Sequence, residues 1–210
     1  MPLGRLRRFL IPEFGLFRVL LSLALIYAVV AAWAWFYSDR MIFLPPEPSY
    51  RDTPEILKVP TEGGDRIDVI YLANPAASYT LLFSHGNGED LGLLLPLLPV
   101  LRDLGFSVFA YDYRGYGLSE GTPSERHVYG DIDAAYGYLT GELHVAPQRI
   151  VAYGRSLGAG AAVDLAARRP MGGLVLESPF LSAFRVMTRV PLFPFDKFRN
   201  VDKISRARCP

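Results

Sequence analysis

Ile150-Val-Ala-Tyr-Gly154-Arg155-Ser156-Leu157-Gly158 is the stretch whose reading decides the fold. Arg149–Tyr153 reads as a short buried strand, and Leu157–Arg169, rich in small residues, reads as a helix. Between them stands Gly-x-Ser-x-Gly. A sharp strand-to-helix turn lifts a serine oxygen above a sheet, and glycines on either side let neighbouring backbones close up. The N-terminus of the helix adds a dipole that favours developing negative charge. Ser156 is therefore a candidate nucleophile, with Gly154 and Gly158 as its supports. The competing reading is a glycine-rich turn with an incidental serine; the strand–turn–helix context favours the nucleophile.

Outward from this stretch, strands and helices alternate. Ile56–Val59 and Ile67–Leu72 flank Glu62-Gly63-Gly64-Asp65, a hairpin signal. Thr80–Ser84 and Phe106–Tyr111 read as buried strands, and Gly173–Leu176 as another. Glu89–Leu104 carries a helical stripe at Leu91, Leu94, Leu95, Leu98 and Leu101, interrupted by Pro96 and Pro99. Thr122-Pro123-Ser124-Glu125 reads as a capping box that opens a helix with Val128, Ile132, Ala135 and Leu139 on one face. The expected class is α/β: a mostly parallel sheet flanked by helices, with ligands at the carboxyl ends of its strands. Ser84-His85-Gly86-Asn87-Gly88 sits at such an end. It reads as an oxyanion turn, with one backbone N–H from Asn87 and one from Leu157, the residue after the serine. His85 and Gly86 then shape this turn, and Asp112 and Arg114 brace the loop beside it. A plain glycine turn is the alternative.

The N-terminal part is of another kind. Val19 to Tyr37 is a 19-residue run interrupted only by Ser22; it spans about 28 Å as a helix, close to a bilayer core. Residues 1–40 hold five basic and two acidic side chains, so the positive-inside rule places the N-terminus in the cytoplasm and the rest beyond the membrane, periplasmic in a bacterium. Residues 1–18 read as a basic segment, 19–37 as a single-pass anchor, 38–54 as a proline-rich tether, and 55–210 as the α/β domain. A cleaved signal, with Ala32-Trp33-Ala34 near its end, is the competing reading of the apolar run.

Composition narrows the function classes. Half of the 210 residues are hydrophobic and 20% are charged, which excludes a disordered or collagen-like chain. The net charge of +1 provides no bulk field for nucleic acid. Cys209 stands alone, so no internal disulfide or thiolate zinc cluster can form. No metal and no organic cofactor is implied, and no motif speaks to oligomeric state.

Several longer stretches carry a resemblance. They are Phe83-Ser-His-Gly-Asn87, Tyr111-Asp-Tyr-Arg-Gly-Tyr-Gly-Leu-Ser-Glu-Gly-Thr-Pro-Ser124, Gly154-Arg-Ser-Leu-Gly158, Glu177-Ser-Pro-Phe180 and Phe195-Asp-Lys-Phe-Arg-Asn-Val-Asp-Lys-Ile204. With these the chain resembles the α/β-hydrolase superfamily, and within it the membrane-anchored serine hydrolases related to eukaryotic depalmitoylating enzymes. The resemblance implies a serine hydrolase of acyl esters or thioesters, with a lipid-like or small acyl substrate. It also implies a triad in the order Ser, Asp or Glu, His, its acid and histidine lying after two further strands. This chain reaches Arg208-Cys209-Pro210 where the first of those strands is expected, so both partners of Ser156 are expected to be absent and the domain C-terminally incomplete. A catalytically dead binding or scaffold protein is the alternative this raises; an acyltransferase or peptidase of the same fold is a third reading.

No substitute base stands out. His144 is placed at the amino ends of the strands, and His127 in the first turn of its helix. Glu177 ends a strand on the correct side, where it reads better as a partner of a nearby arginine or backbone than as a displaced triad acid. Phe180–Phe198 mixes apolar side chains with Arg185, Arg189 and Lys197. It reads as a lid over the site, suited to an acyl chain and to anionic headgroups, or as an ordinary amphipathic cover.

Overall fold

The protein, as a computed structural model, is described for residues 15–210; the greater part of the basic segment at 1–18 lies outside the described residues. Two compact units divide between Ser38 and Asp39. The described part of the first is helical. Helix α1 (Leu16–Ile42) has 27 residues and continues past the apolar run at both ends. Leu20, Leu23 and Val29 are exposed along it. By length and composition it could cross a membrane.

The second unit holds β1 (Ile56–Pro60), β2 (Arg66–Leu72), β3 (Thr80–Ser84), α2 (Leu91–Leu94), α3 (Leu98–Asp103), β4 (Ser107–Tyr111), α4 (Glu125–Gly141), β5 (Ile150–Arg155), α5 (Leu157–Arg168), β6 (Gly173–Glu177) and α6 (Ala183–Met187). The six strands form one sheet in the order β1-β2-β4-β3-β5-β6. β1–β2 and β2–β4 are antiparallel, and the remaining pairs are parallel. The expected strands are all present, within two residues at each end.

Strand alternation builds both layers of the core. On one face Leu82, Phe109, Ile150 and Ala152 pack with Val128, Ile132, Ala135 and Leu139 of α4 and with Ala161, Ala162 and Leu165 of α5. On the other, Phe83, Val108 and Ala110 pack with Leu91, Leu94 and Leu98. Every residue of β3 and β4 is buried. Full burial of a side chain such as Leu82 or Phe109 stabilises by about 1.5–3 kcal/mol, so these two central strands anchor the fold. The register sets Ser84 beside Tyr111 and Gly154, and Arg155 beside Glu177. Four strand ends therefore open onto one edge.

Three local expectations need correction. The stripe from Glu89 to Leu104 is two short helices, not one, because Pro96 and Pro99 cannot donate an amide and crowd the preceding turn. The cap of α4 is Ser124, not Thr122: its hydroxyl accepts from the His127 amide at 3.1 Å. Glu125 is thereby the first helical residue, and its carboxylate accepts from the Tyr129 hydroxyl at 2.7 Å and from the Phe198 amide at 2.6 Å. The proline-rich stretch is no bare spacer either: Ile42 O accepts from Asn87, the Leu44 and Ser49 amides donate to Asn87 and Asp90, and the Tyr50 hydroxyl donates to Asp112.

Candidate active site

Ser156 joins β5 to α5 with φ 49° and ψ −110°. That region is unfavourable for a residue with a side chain, at a cost of about 1–3 kcal/mol. The turn is held by its surroundings. The Ser156 amide donates to Glu177 O at 2.9 Å, and the Ala159 amide donates to Ser156 O at 2.9 Å. A Cβ on Gly154 would stand 2.5 Å from Gly158 O, and one on Gly158 would stand 2.0 Å from Ser84 O. Only glycine fits at either place. Ser156 itself is exposed, and no side chain among the described residues bonds its hydroxyl.

The Ser84–Gly88 loop lies alongside, close enough that a Cβ on Gly86 would be 3.8 Å from Ser156 Cβ. Neither the Asn87 amide nor the Leu157 amide donates to another group among the described residues. His85 is fully buried against the rings of Tyr113 and Tyr116. Its Nδ1 is 2.8 Å from Gly86 O, and a carbonyl only accepts, so Nδ1 carries the hydrogen. Its Nε2 is 3.2 Å from Asp112 Oδ1, poorly aligned for a hydrogen bond. The Tyr113 hydroxyl donates to His85 O at 2.7 Å.

Asp112 gathers the loop's supports. It accepts from the Leu91 amide at 2.9 Å and from the Tyr50 hydroxyl at 2.7 Å. Burial pushes its carboxyl above the ordinary range, against the opposing pull of His85 and Tyr50. Arg114 sits elsewhere. Its amide and Nε donate to the Asp131 carboxylate at 2.9 and 2.7 Å, and Nη2 donates to His127 O at 3.1 Å. It ties the loop after β4, beside the Ser84–Gly88 turn, to helix α4. Burial pushes the Asp131 carboxyl up to about 6, with Arg114 pulling it down.

Two features of the site escape a reading of the sequence. The first is the side chain of Asn87. Its Nδ2 donates to Ile42 O at 2.5 Å, while its Oδ1 accepts from the Leu44 amide at 3.0 Å and the Tyr116 hydroxyl at 2.5 Å. The second is an ionic line beside Ser156. Glu89 accepts from the Gly86 amide at 2.7 Å and from Arg155 Nη1 at 3.1 Å, and Arg155 Nε donates to Glu177 at 2.8 Å. Glu177 also accepts from the Tyr153 hydroxyl, and these two partners, the Tyr153 hydroxyl first, hold its carboxyl below the ordinary range. It pairs with an arginine, as expected of a strand-end residue. The spacing of Glu89 after Gly86 and of Arg155 before Ser156 is the only trace in the sequence.

The other two histidines are not bonded to Ser156. His127 Nδ1 lies 2.7 Å from Thr122 O, and His144 stands before β5. Among the described residues no group of three His, Cys, Asp or Glu side chains clusters as metal ligands.

Residues 75–199 match the family model described as serine aminopeptidase, S33. Alpha/beta hydrolase domain-containing protein 17B of Xenopus tropicalis is 35% identical over 204 residues, covering 82% of this chain and 71% of that protein. Alpha/beta hydrolase domain-containing protein 17C of Mus musculus is 38% identical over 181 residues, covering 84% of this chain and 53% of that one. Among solved structures, an alpha-beta hydrolase from Vibrio vulnificus superposes with a TM-score of 0.60 at 24% identity, over 74% of this chain and 61% of that one. An esterase of Pyrococcus furiosus superposes with a TM-score of 0.58 at 21% identity, over 70% and 60%. At these identities the structural likeness is one of fold. The chain spans roughly half to seven-tenths of the relatives it matches.

Proposed function

The chain belongs to the α/β-hydrolase superfamily, and on that premise we propose a membrane-tethered serine hydrolase of acyl esters or thioesters with Ser156 as nucleophile. One observation carries the reading: an exposed serine in a strained turn faces a neighbouring loop, with two amide hydrogens, of Asn87 and Leu157, left unused. Ser156 Oγ would attack the acyl carbonyl, and the two amides would hold the oxyanion. Collapse of that intermediate releases the alcohol or thiol and leaves an acyl-serine. Water then attacks the acyl-serine, freeing the acid and restoring Ser156. Loss of one such donor typically costs ~10²–10³ in rate.

His85 and Gly86 shape the oxyanion loop in this reading, and Asp112 supports it from below. The apolar helix α1 supports tethering to a membrane, and the basic excess of residues 1–40 favours an N-terminus in the cytoplasm and the sheet domain on the other side. The resemblance to depalmitoylating enzymes favours a long acyl thioester. The reading assigns a nucleophile and oxyanion donors; it assigns no general base, since none of the three histidines bonds Ser156. The second reading is a hydrolase-like binding protein without turnover.

A fluorophosphonate probe separates them. In the full chain, solubilised in detergent, Ser156 should be labelled, and Ser156→Ala should not. An unlabelled wild-type protein overturns the nucleophile assignment. Labelling without hydrolysis of an acyl thioester selects the binding protein.

A further inference from the structure

We propose that the segment from Ala183 to Lys197 docks on an anionic bilayer surface, Val186, Met187 and Val190 entering the apolar layer and Arg185 and Arg189 meeting lipid phosphates. The proposal rests on the membrane reading above and adds a second element of contact to it.

Exposure is the first ground. Val186, Met187 and Val190 are 66%, 88% and 59% exposed, and no residue of α6 is buried. Three large apolar side chains so exposed within five residues form a patch rather than scattered surface positions.

Charge is the second. Arg185 Nε is buried without an acceptor, and no acidic side chain pairs with Arg185 or Arg189 among the described residues. Arg185 lines a cavity of about 220 Å³ together with Arg199, Asp196 and Asp202, and Asp202 is taken up by Arg199 at 2.6 Å. The acid inside the segment, Asp196, is engaged by the Ser182 hydroxyl at 2.6 Å, the Phe184 amide at 2.8 Å and the Lys197 amide at 2.7 Å. Cations without internal acceptors beside exposed apolar groups are the composition of an interfacial segment, and anionic headgroups supply the missing acceptors.

Depth is the third. Lys197 Nζ is 2.6 Å from Asp39 Oδ1, and Phe198 packs edge-on against Phe43. Asp39 follows the apolar run by two residues, about 3 Å along a helix axis. The ion pair thus sits where that run would leave the hydrocarbon, at headgroup level. Ile42, one turn on, is bonded to Asn87 in the oxyanion loop.

Nitroxide labels on the full chain, with Cys209→Ser as background, test this in reconstituted vesicles. Met187→Cys reports the segment, Val29→Cys reports α1, and Leu104→Cys, at a site 69% exposed, reports water. Vesicles are phosphatidylcholine alone or with phosphatidylglycerol added. Accessibility of the position 187 label to an aqueous nickel chelate should fall several-fold below that at 104 when phosphatidylglycerol is present. Arg185→Gln with Arg189→Gln should remove the lipid dependence. A label shielded at 29 but aqueous at 187 in both lipids overturns the proposal and spares the membrane reading. An aqueous label at 29 overturns both. Shielding at 187 that ignores lipid charge and rises with protein concentration marks contact between copies and also overturns it.

Discussion

The Gly154–Gly158 turn and the Ser84–Gly88 loop lie side by side at neighbouring strand ends, yet they are held by different means. The turn is fixed by steric fit: two glycines, a helix that starts at once, and one amide bond to Glu177. The loop is fixed by polar partners from far along the chain. Asn87 binds Ile42 and Leu44, His85 meets Tyr113 and Asp112, and Glu89 meets Arg155, 66 positions away. A steric device is compact enough to be written in five residues. A polar clamp is distributed, so each of its members looks ordinary where it stands in the sequence. The two should also fail differently.

Gly158→Ala should give the largest effect. The added Cβ would meet Ser84 O at 2.0 Å, a backbone atom in a fully buried strand that cannot step aside. Overpacking of this kind costs typically ~1–3 kcal/mol and occasionally more. Thermal unfolding in detergent should show a large drop in Tm together with loss of probe labelling. A near-native Tm would mean that the turn is less tightly fitted than the distances state.

Asn87→Ala should follow. It keeps the backbone amide but strands the Leu44 amide and the Tyr116 hydroxyl, each at about 1–3 kcal/mol if it stays unsatisfied. Because Leu44 is exposed, water should recover its amide, while the buried Tyr116 bears the remaining loss, and Tm should fall by less than for Gly158→Ala. The rate of labelling at Ser156 should fall about tenfold, equivalent to ~1.4 kcal/mol, as the loop loses its grip on residues 42–44. Unchanged labelling would reduce the clamp to decoration and erase the contrast between the two loops.

The third prediction uses pH, to which the steric turn should be indifferent. Asp112 and Asp131 both belong to long-range clamps, and burial raises both carboxyls, Asp131 to about 6. Between the ordinary carboxyl range and pH 6 the folded state then holds a proton at Asp131 that the unfolded chain has lost. The folded state binds more protons, so stability falls as pH rises, by at most about 1.4 kcal/mol per pH unit for one proton, and levels off above 6. Urea unfolding between pH 4 and 7 should show that decline, and Asp131→Asn should flatten it. A rise in stability across the same window in the wild type would contradict the assignment.

The same contrast explains what could be read from the sequence. Strands β3 to β6 and helix α5 are legible because apolar runs, Gly105 and the Gly-x-Ser-x-Gly spacing are local signals. Ser124 displaces Thr122 as a cap because the helix starts where its side chain can reach the His127 amide, a choice made over two residues. The Leu91–Leu101 stripe names the right core residues and misjudges the backbone, since periodicity persists across a proline break. The place of Asn87 in the loop after β3 is legible, but its side chain reaches Ile42 across 45 positions, and no local pattern encodes that. The proline-rich stretch reads as a spacer for the same reason: what makes it part of the site is Tyr50 on Asp112 and Leu44 on Asn87.

The smallest expected effect lies where the two loops are joined. Arg155, inside the steric turn, pairs with Glu89, which also caps the Gly86 amide; the Arg155 and Glu89 side chains are 24% and 28% exposed. An ion pair at that exposure contributes roughly 0.2–1 kcal/mol. Glu89→Gln removes the charge but keeps a carbonyl oxygen for Gly86, so Tm should move little and labelling of Ser156 should change by less than about fivefold. Glu89→Ala also frees the Gly86 amide beside Ser156 and should cost more. The ratio between the two variants measures how far the join depends on the hydrogen bond rather than on charge. Equal losses in both would assign it to the ion pair, and the turn and the loop would then be coupled electrostatically, in a way that added salt should weaken.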